Sequence, residues 1–305
     1  MVSFSPADPT GHRFRLERDG VSAEIAQVGA ALRALTVDGV ELVPRYPDDA
    51  PAPAASGTVL VPWPNRIRDG RWTQSGVERQ LAITEPALGN ASHGLLRFAP
   101  YVAETVLPDA VTLRADVFPQ TGYPFSLENR VSYVLTENGV TVSHDVRNVG
   151  ADDAPVAVGA HPFVMIGTAD VADLVLTASG DRRLILDERK LPVGEEPVDD
   201  ATDLRGGRIV GDLDLDTAYV GLDRDDSGVA HTTLRAPDGA ELVLWQDAAF
   251  GWLQVFTTDR YTGYPLALAL EPLTAPAEAF NSGRDLRWLA PGEGFTGSWG
   301  FRFSR

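Results

Sequence analysis

Cysteine is absent from the 305 residues of the chain, and lysine occurs only once, at Lys190. The lack of cysteine excludes disulfides, thiolate zinc sites and cysteine nucleophiles. A single lysine within the polar stretch LDERKLPVGEEP excludes a P-loop and argues against Schiff-base chemistry, which needs a desolvated amine. Any chemistry of this chain must therefore use other side chains.

Positive charge and long apolar runs are also scarce. The chain carries 26 Lys and Arg against 43 Asp and Glu, a formal charge of −17. This balance argues against nucleic acid and anionic membranes, and it favours a neutral substrate. No apolar run approaches the ~20 residues that span a bilayer, and the N-terminal MVSFSPADPTGHRF lacks a signal-peptide pattern. We expect a cytoplasmic protein without nucleic-acid or membrane partners.

The sequence also lacks a sustained helical period. Short alternating or β-branched segments predict strands instead: HRFRLER, AEIAQV, RQLAIT, VTLRADV, SLENRVSYVL and ELVLW. Hairpins are predicted around Asn138-Gly139 and Asp238-Gly239. Strands at this spacing without helices predict an all-β fold, a large antiparallel sandwich or barrel.

No internal repeat or long linker divides the chain, so residues 1–305 are predicted to form a single domain. Two segments have the composition of loops. Residues 45–57 are rich in proline and alanine, and residues 192–203 are acidic. The sequence does not indicate whether either of them covers a site.

One of only five histidines lies where an apolar strand meets a proline, in VAVGAHPFVMIG. Because alternate residues of a strand share a face, His161 lies on the same side as Ala157 and Gly159, the smallest side chains available. Pro162 follows and is expected to end the strand, since it has no N–H to donate.

The stretch YPLALALEPLTAP repeats this design near the C-terminus. Three leucines take the core face, while Ala267, Ala269 and Glu271 share the opposite face and Pro272 follows. A glutamate on a mostly apolar strand tends to have a raised pKa, as a general acid or base requires. The simpler interpretations are a buried core histidine and a surface glutamate. His144 in VTVSHDVR, among valines of one face, is assigned to packing.

Three further segments offer polar groups beside apolar ones. TVLVPWPNRIRDGRW carries Asn65 and Arg66 between aromatic residues and prolines, and NASHGLLRF puts His93 before a glycine in a loop predicted to enter a strand. LDLDTAYVGL adds Asp216 at a strand entrance. Each has a simpler interpretation, as surface stacking, a turn or an Asx residue. Together with rings that stack on sugars, they suit a polyhydroxylated ligand.

Five motifs in this order resemble the aldose 1-epimerase family, also called galactose mutarotases. They are NRI around Arg66, HG at His93, AHPF around His161, DLDTAYV around Asp216 and LALEP around Glu271. The resemblance implies a large antiparallel β-sandwich of the galactose mutarotase type with its site on a concave sheet. It also implies an isomerase that interconverts the α and β anomers of a free aldohexose, a sugar substrate, and no cofactor or metal.

The resemblance spans roughly residues 58 to 283 and implies a role for each motif residue. Glu271 resembles the general base that removes the proton of the anomeric hydroxyl, and His161 resembles the general acid that protonates the ring oxygen. The remaining residues resemble the groups that hold the ring oxygen and hydroxyls: His93, Asn65, Arg66 and Asp216.

Alternatives stay open at this point. HGLLR is closer to relatives acting on hexose 6-phosphates, in which arginines hold the phosphate, and Arg97, Arg68 and Arg71 are candidates for that role. NRI and the acidic charge favour a free sugar. A non-catalytic carbohydrate-binding sandwich needs no acid/base pair, and a glycoside hydrolase or lyase would pair Asp216 with Glu271. Monomer and homodimer are both compatible with the sequence.

Overall fold

The computed structural model describes residues 8–305, almost all of whose regular structure is β-strand. The first strands are β1 (Arg13–Arg18), β2 (Val21–Ala26), β3 (Leu32–Val37), β4 (Val40–Glu41), β5 (Val59–Leu60), β6 (Arg66–Arg68), β7 (Arg71–Gln74), β8 (Val77–Gln80), β9 (Asn90–Ser92) and β10 (Val102–Val106). The middle strands are β11 (Ala110–Val117), β12 (Leu127–Thr136), β13 (Gly139–Asn148), β14 (Ala154–Val156), β15 (Gly159–Ala160), β16 (Phe163–Val164), β17 (Val175–Ala178), β18 (Arg182–Leu186) and β19 (Pro192–Pro197). The last strands are β20 (Arg208–Ile209), β21 (Asp216–Val220), β22 (Ala230–Arg235), β23 (Glu241–Gln246), β24 (Trp252–Thr258), β25 (Ala267–Leu273), β26 (Arg287–Leu289) and β27 (Gly294–Ser304).

Helical structure within the described residues is limited to short segments. They are α1 (Ala279–Ser282) and three 3₁₀ turns, Pro53–Ala55, Val171–Asp173 and Val210–Asp212. No helix in residues 8–305 is long and apolar enough to cross a membrane. Residues 1–7, which belong to the stretch used for the signal-peptide prediction, lie outside the described residues.

Two large antiparallel sheets form the sandwich. The nine-stranded sheet has the order β10-β11-β12-β13-β27-β23-β22-β17-β20, and the eight-stranded sheet has the order β19-β18-β21-β24-β25-β15-β5, with β16 beside β25. A four-stranded sheet, β1-β2-β3-β4, and three two-stranded pairs complete the fold. The all-β sandwich predicted from the strand pattern is confirmed.

The two faces of the eight-stranded sheet have different partners. On β25, Leu268 and Leu270 belong to the main core, which also contains Val140 and Val142 of the nine-stranded sheet. Ala267 and Ala269 face the other way, into a smaller cluster. The predicted alternation along LALAL is therefore confirmed. The small side chains of this second face pack against the rings of Tyr46, Phe163 and Tyr261, and Glu271 lies further along the same face.

Both predicted hairpins are present. Strands β12 and β13 pair from Thr136 opposite Gly139, and β22 and β23 pair up to Arg235 opposite Glu241. In the second turn Gly239 has a φ of 93°, a left-handed conformation that glycine adopts without a steric penalty. Local turn chemistry was sufficient to locate both connections.

Several local predictions were wrong. RQLAIT is a strand only at its first two residues, which end β8. The acidic segment 192–203 begins with a strand, because β19 pairs with β18 at the sheet edge through Arg183 and Glu196. Its prolines and charges are typical of edge strands, which explains why it resembled a loop. Residues 45–57 form a loop with one 3₁₀ turn, as predicted.

His144 lies in the core of the nine-stranded sheet, as the sequence indicated. Its exposure is 1%, its Nε2 accepts a hydrogen bond of 3.0 Å from Trp299 Nε1, and its ring contacts Phe250. Burial lowers the pKa of His144 to about 3, so the ring is neutral at neutral pH. This histidine is a structural residue.

We expect His144→Gln to destabilise the fold by roughly 1–3 kcal/mol, because a glutamine amide buries polar atoms without partners. The free energy of unfolding in urea is the measurement, with the exposed His12→Gln as the matched control. Turnover per folded molecule should remain within about twofold of the unmodified protein. A stable variant with collapsed turnover would show that His144 takes part in the reaction.

Candidate active site

Three neighbouring strands present polar groups on the second face of the eight-stranded sheet. In the register, Gln254 of β24 lies opposite Glu271 of β25, while Asp216, the first residue of β21, lies opposite Phe256 of β24. Antiparallel partners on one face stand ~5 Å apart. The sheet thus lines up a carboxyl, an amide, a ring and a second carboxyl across three strands.

Pro272 does not end β25, contrary to the expectation from the sequence. The strand continues to Leu273, with Leu253 opposite Pro272. Leu270 N donates to Pro162 O at 3.1 Å, and Thr274 N donates to Val158 O at 2.9 Å on the same side. Pro272 lies between them, so its missing N–H faces the point where β15 gives way to β16. The proline interrupts pairing on that side only.

His161 lies at this interruption, between β15 and β16. The sequence predicted one continuous strand for VAVGAH. In the structure this segment contains the last residue of β14 and the whole of β15, with two residues between them. Gly159 allows the close approach, because a β-carbon there would lie 2.6 Å from Leu273 Cδ2 and 2.8 Å from Pro64 Cβ. The His161 ring stacks on Phe163 at 5.3 Å, which fixes its orientation.

Asn65, Arg66 and His93 reach the same place from the β6–β9 pair. His93 follows β9 and so leaves a strand, where the sequence had predicted a loop entering one. The backbone N–H of His93 donates to Asn65 O at 2.8 Å, and its ring Nδ1 accepts a hydrogen bond from Asn65 N at 3.2 Å. Gly94 is required here, because it has a φ of 71° and a β-carbon would lie 2.2 Å from Val61 O.

These elements enclose a small cavity with about 260 Å³ of empty space. All six residues singled out from the sequence line it, together with two others: Asn65, Arg66, His93, His161, Asp216, Gln254, Phe256 and Glu271. This figure includes space open to solvent. The cavity is small and its lining is mostly polar, which suits one small polar molecule.

A hydrogen-bond chain fixes the polar wall of the cavity. Asn65 Nδ2 donates to Gln254 Oε1 at 3.4 Å, and Gln254 Nε2 donates to Asp216 Oδ1 at 2.7 Å. Arg66 is held by Glu85 in a bidentate pair of 2.9 and 3.0 Å, with its Nη1 3.3 Å from Asn65 Oδ1. Such forked pairs leave a guanidinium little freedom, so Arg66 is preorganised.

His161 and Glu271 form a direct pair, with Nε2 3.3 Å from Oε1 and both side chains buried. Burial, reinforced by the charge of Asp216, raises the pKa of Glu271. Burial, together with the positive charge of Arg66, lowers the pKa of His161. Both shifts favour the neutral form of the group concerned, so the two side chains together hold one proton at neutral pH.

Two buried atoms of this pair have no hydrogen-bond partner among residues 8–305. They are Glu271 Oε2 and His161 Nδ1. A buried carboxyl oxygen without a partner costs free energy unless a ligand or solvent meets it. This is the feature expected of a site that takes a hydroxyl-bearing ligand.

His93 lies beside the pair, with its ring 5.5 Å from that of His161. Burial, with the charges of His161 and Arg97, lowers the pKa of His93 well below its usual value. Because Nδ1 already accepts from the backbone of Asn65, the neutral ring carries its proton on Nε2. His93 is thus a fixed hydrogen-bond donor.

Sequence reasoning missed Gln254, Phe256 and Glu85. Gln254 had a usable signal, because it is the polar residue within the apolar run WLQVF, and it is 2% exposed. The aromatic contact was assigned to the wrong segment. Trp63, 3% exposed, packs on Phe280 in the core, while Phe256 provides the ring at the cavity.

None of the three candidate phosphate arginines lines the cavity. Arg68 pairs with Asp187 at 2.9 Å, and Arg71 extends into solvent on β7. Arg97 stacks over the Phe98 ring at 4.5 Å, and burial lowers its pKa. Groups of three or more histidine or carboxylate side chains placed to hold a metal ion do not occur within residues 8–305.

The chain is similar in sequence to known proteins. The model of the family described as aldose 1-epimerase matches residues 12–302. An Escherichia coli K12 protein named YihR, described as uncharacterized, is 32% identical over 288 residues, covering 93% of this chain and 91% of its own.

Solved structures share the fold at lower identity. A galactose mutarotase-like protein of Clostridium acetobutylicum superposes with a TM-score of 0.84 at 18% identity, covering 95% of this chain and 94% of its own. The galactose 1-epimerase of Lactobacillus acidophilus gives 0.79 at 20% identity, covering 95% and 93%. Both likenesses concern the fold, and the family match extends over nearly the whole sequence. The chain belongs to the aldose 1-epimerase family.

Proposed function

We propose that this protein interconverts the α and β anomers of a free aldohexose by acid/base ring opening and reclosure. The observation that carries the proposal is the buried contact of 3.3 Å between His161 Nε2 and Glu271 Oε1, at a cavity surrounded by hydrogen-bonding side chains. The family match over residues 12–302 supports an isomerase and supports treating residues 1–305 as one catalytic domain. The acidic composition favours a neutral substrate, and we place the proposed reaction in the cytoplasm.

In the proposed step, the single proton of the pair first moves to His161, and the ionised Glu271 takes the proton of the anomeric hydroxyl. The oxygen's electron pair forms the carbonyl, the bond from C1 to the ring oxygen breaks, and His161 gives that oxygen a proton. Rotation about the C1–C2 bond and the reverse step on the other carbonyl face yield the second anomer. The pair holds the same number of protons before and after opening, so no proton is exchanged with solvent.

The surrounding groups would hold the ring while it opens. His93 offers a fixed N–H donor, Arg66 is locked by Glu85, and Asp216 offers a carboxylate acceptor. Phe256 provides an apolar surface for a sugar face. Such positioning matters because the open chain must reclose before it leaves.

We expect a broad plateau of kcat/KM across neutral pH. A second proton on the pair removes the base, and loss of the only proton removes the acid. Burial lowers the pKa of His161 and raises the pKa of Glu271. The acid limb of the pH profile therefore moves to lower pH, and the alkaline limb moves to higher pH. Exchange rates corrected for the spontaneous reaction at each pH measure this. A single limb centred near pH 6.5, the ordinary value for histidine, would contradict the coupled pair.

The test of the proposed function is anomer exchange by NMR magnetisation transfer with purified protein. Glucose, galactose and glucose 6-phosphate are run in parallel, and protein-dependent exchange of either free sugar is expected. Faster exchange of glucose 6-phosphate would move the substrate to the phosphorylated class. Binding of all three without exchange would replace the enzyme with a carbohydrate-binding module.

A further inference from the structure

The only lysine of the chain stands at the edge of the candidate site. Lys190 Nζ is 3.7 Å from Asp216 Oδ2, and its side chain is 47% exposed. A lone lysine on the surface is ordinarily a solvated charge. Here the backbone of the lysine is held in place by two sets of contacts.

The first set is a tight turn within residues 187–191. Asp187 Oδ1 accepts hydrogen bonds from Arg189 N at 2.9 Å and Leu191 N at 3.0 Å. Lys190 has a φ of 61°, a left-handed conformation that is uncommon for a residue other than glycine. The turn therefore holds the lysine in one backbone conformation.

The second set anchors the turn to the loop before β9. Arg189 Nε donates to Leu88 O at 2.8 Å, and its Nη2 donates to Gly89 O at 2.9 Å and Asp69 Oδ1 at 2.8 Å. Asn90 Nδ2 donates back to Arg189 O at 3.1 Å. The same loop carries Glu85, the partner of Arg66. Connected loops therefore position both Arg66 and Lys190 beside Asp216.

The two oxygens of Asp216 have different environments. Oδ1 accepts a hydrogen bond of 2.7 Å from Gln254, whereas Oδ2 lies 3.7 Å from both Arg66 Nη1 and Lys190 Nζ. A separation of 3.7 Å is too long for a hydrogen bond but short enough for one ligand oxygen to contact both groups. Lys190 Nζ donates no hydrogen bond to any residue of 8–305.

We propose that Lys190 is a substrate-binding residue that selects for a sugar hydroxyl remote from the anomeric carbon. Its ammonium donates to the oxygen of the hydroxyl whose hydrogen Asp216 Oδ2 accepts. The site is remote because Gln254 on β24 separates Asp216 on β21 from Glu271 on β25. This inference rests on the proposed function and specifies how its substrate is recognised.

The test is Lys190→Met, which keeps the length of the side chain and removes its donors, assayed with glucose and galactose. We expect KM to rise about tenfold with kcat within twofold, because binding is lost equally from ground and transition states. Arg15→Met on exposed β1 is the control for the loss of one positive charge, and it should leave KM unchanged.

A double variant supplies the readout that a general electrostatic effect would not produce. If Lys190 and Asp216 share one hydroxyl, adding Lys190→Met to Asp216→Asn should raise KM by less than about twofold. An unchanged KM in Lys190→Met, or full additivity in the double variant, would overturn the proposal.

Sugar dissociation constants from ligand-observed NMR separate this inference from the proposed function. If the unmodified protein binds glucose or galactose without exchanging their anomers, the function fails while the role of Lys190 is still measured. In that case a dissociation constant about tenfold weaker in Lys190→Met supports the contact. An unchanged constant overturns it.

Discussion

Glu271→Gln is expected to slow anomer exchange by about 10³-fold while the sugar still binds. A positioned general base typically contributes ~10²–10⁴-fold, and glutamine has nearly the same shape but cannot take a proton. The amide oxygen can still accept from His161, so the cavity should keep its form. Magnetisation transfer gives the rate, and ligand-observed NMR gives the dissociation constant.

The control for this variant is Glu137→Gln, the same chemical change at the exposed β12–β13 turn. Glu137→Gln should keep full activity. Stability provides a second readout, because a buried carboxyl that serves function costs free energy in the folded state. We expect the melting temperature of Glu271→Gln to equal or exceed that of the unmodified protein. A folded, fully active variant would remove Glu271 from the mechanism.

The sandwich could be predicted because its strongest signals are local. β12 alternates buried and less buried residues along its ten positions, and the Asn138-Gly139 turn marks its hairpin with β13. Such patterns depend only on neighbours in the chain. Edge strands lack them, which is why the exposed and charged β19 resembled a loop.

The candidate site was partly predictable for a different reason. Alternation along LALALE placed Glu271 on the face opposite the leucines, and that placement needs no knowledge of the partner strand. The open space expected over Ala267 and Ala269 is instead filled by aromatic rings. Gln254 could not be placed in the same way. Its contact with Asp216 depends on the register between β24 and β21, whose residues are 38 positions apart in sequence.

Proline had a different effect from the one that its local chemistry suggests. A missing N–H was expected to end each strand, which holds at Pro162 but not at Pro272. Whether a proline ends a strand depends on which side its nitrogen faces. At Pro272 the nitrogen faces the break between β15 and β16, so β24 keeps its pairing with β25. The two prolines therefore share one interruption, and His161 occupies it.

Two histidines at the site have different expected roles, which the His93→Asn and His161→Asn variants can separate. His93 has a fixed tautomer and a depressed pKa, so it donates a hydrogen bond without transferring a proton. Losing that donor should raise KM and lower kcat by no more than about tenfold. His161 shares its proton with Glu271, so its loss should act on kcat itself.

His161→Asn is expected to lower kcat by ~10²–10⁴-fold, the usual contribution of a general acid. Asparagine can donate a hydrogen bond to the ring oxygen but cannot give it a proton. Ring opening would then leave the ring oxygen as an unprotonated alkoxide, which is unfavourable. His12→Asn, at an exposed residue directly before β1, is the matched control and should leave kcat unchanged. If kcat instead collapses in His93→Asn and survives in His161→Asn, the acid is His93. The 3.3 Å contact between His161 and Glu271 would then serve to orient the carboxylate.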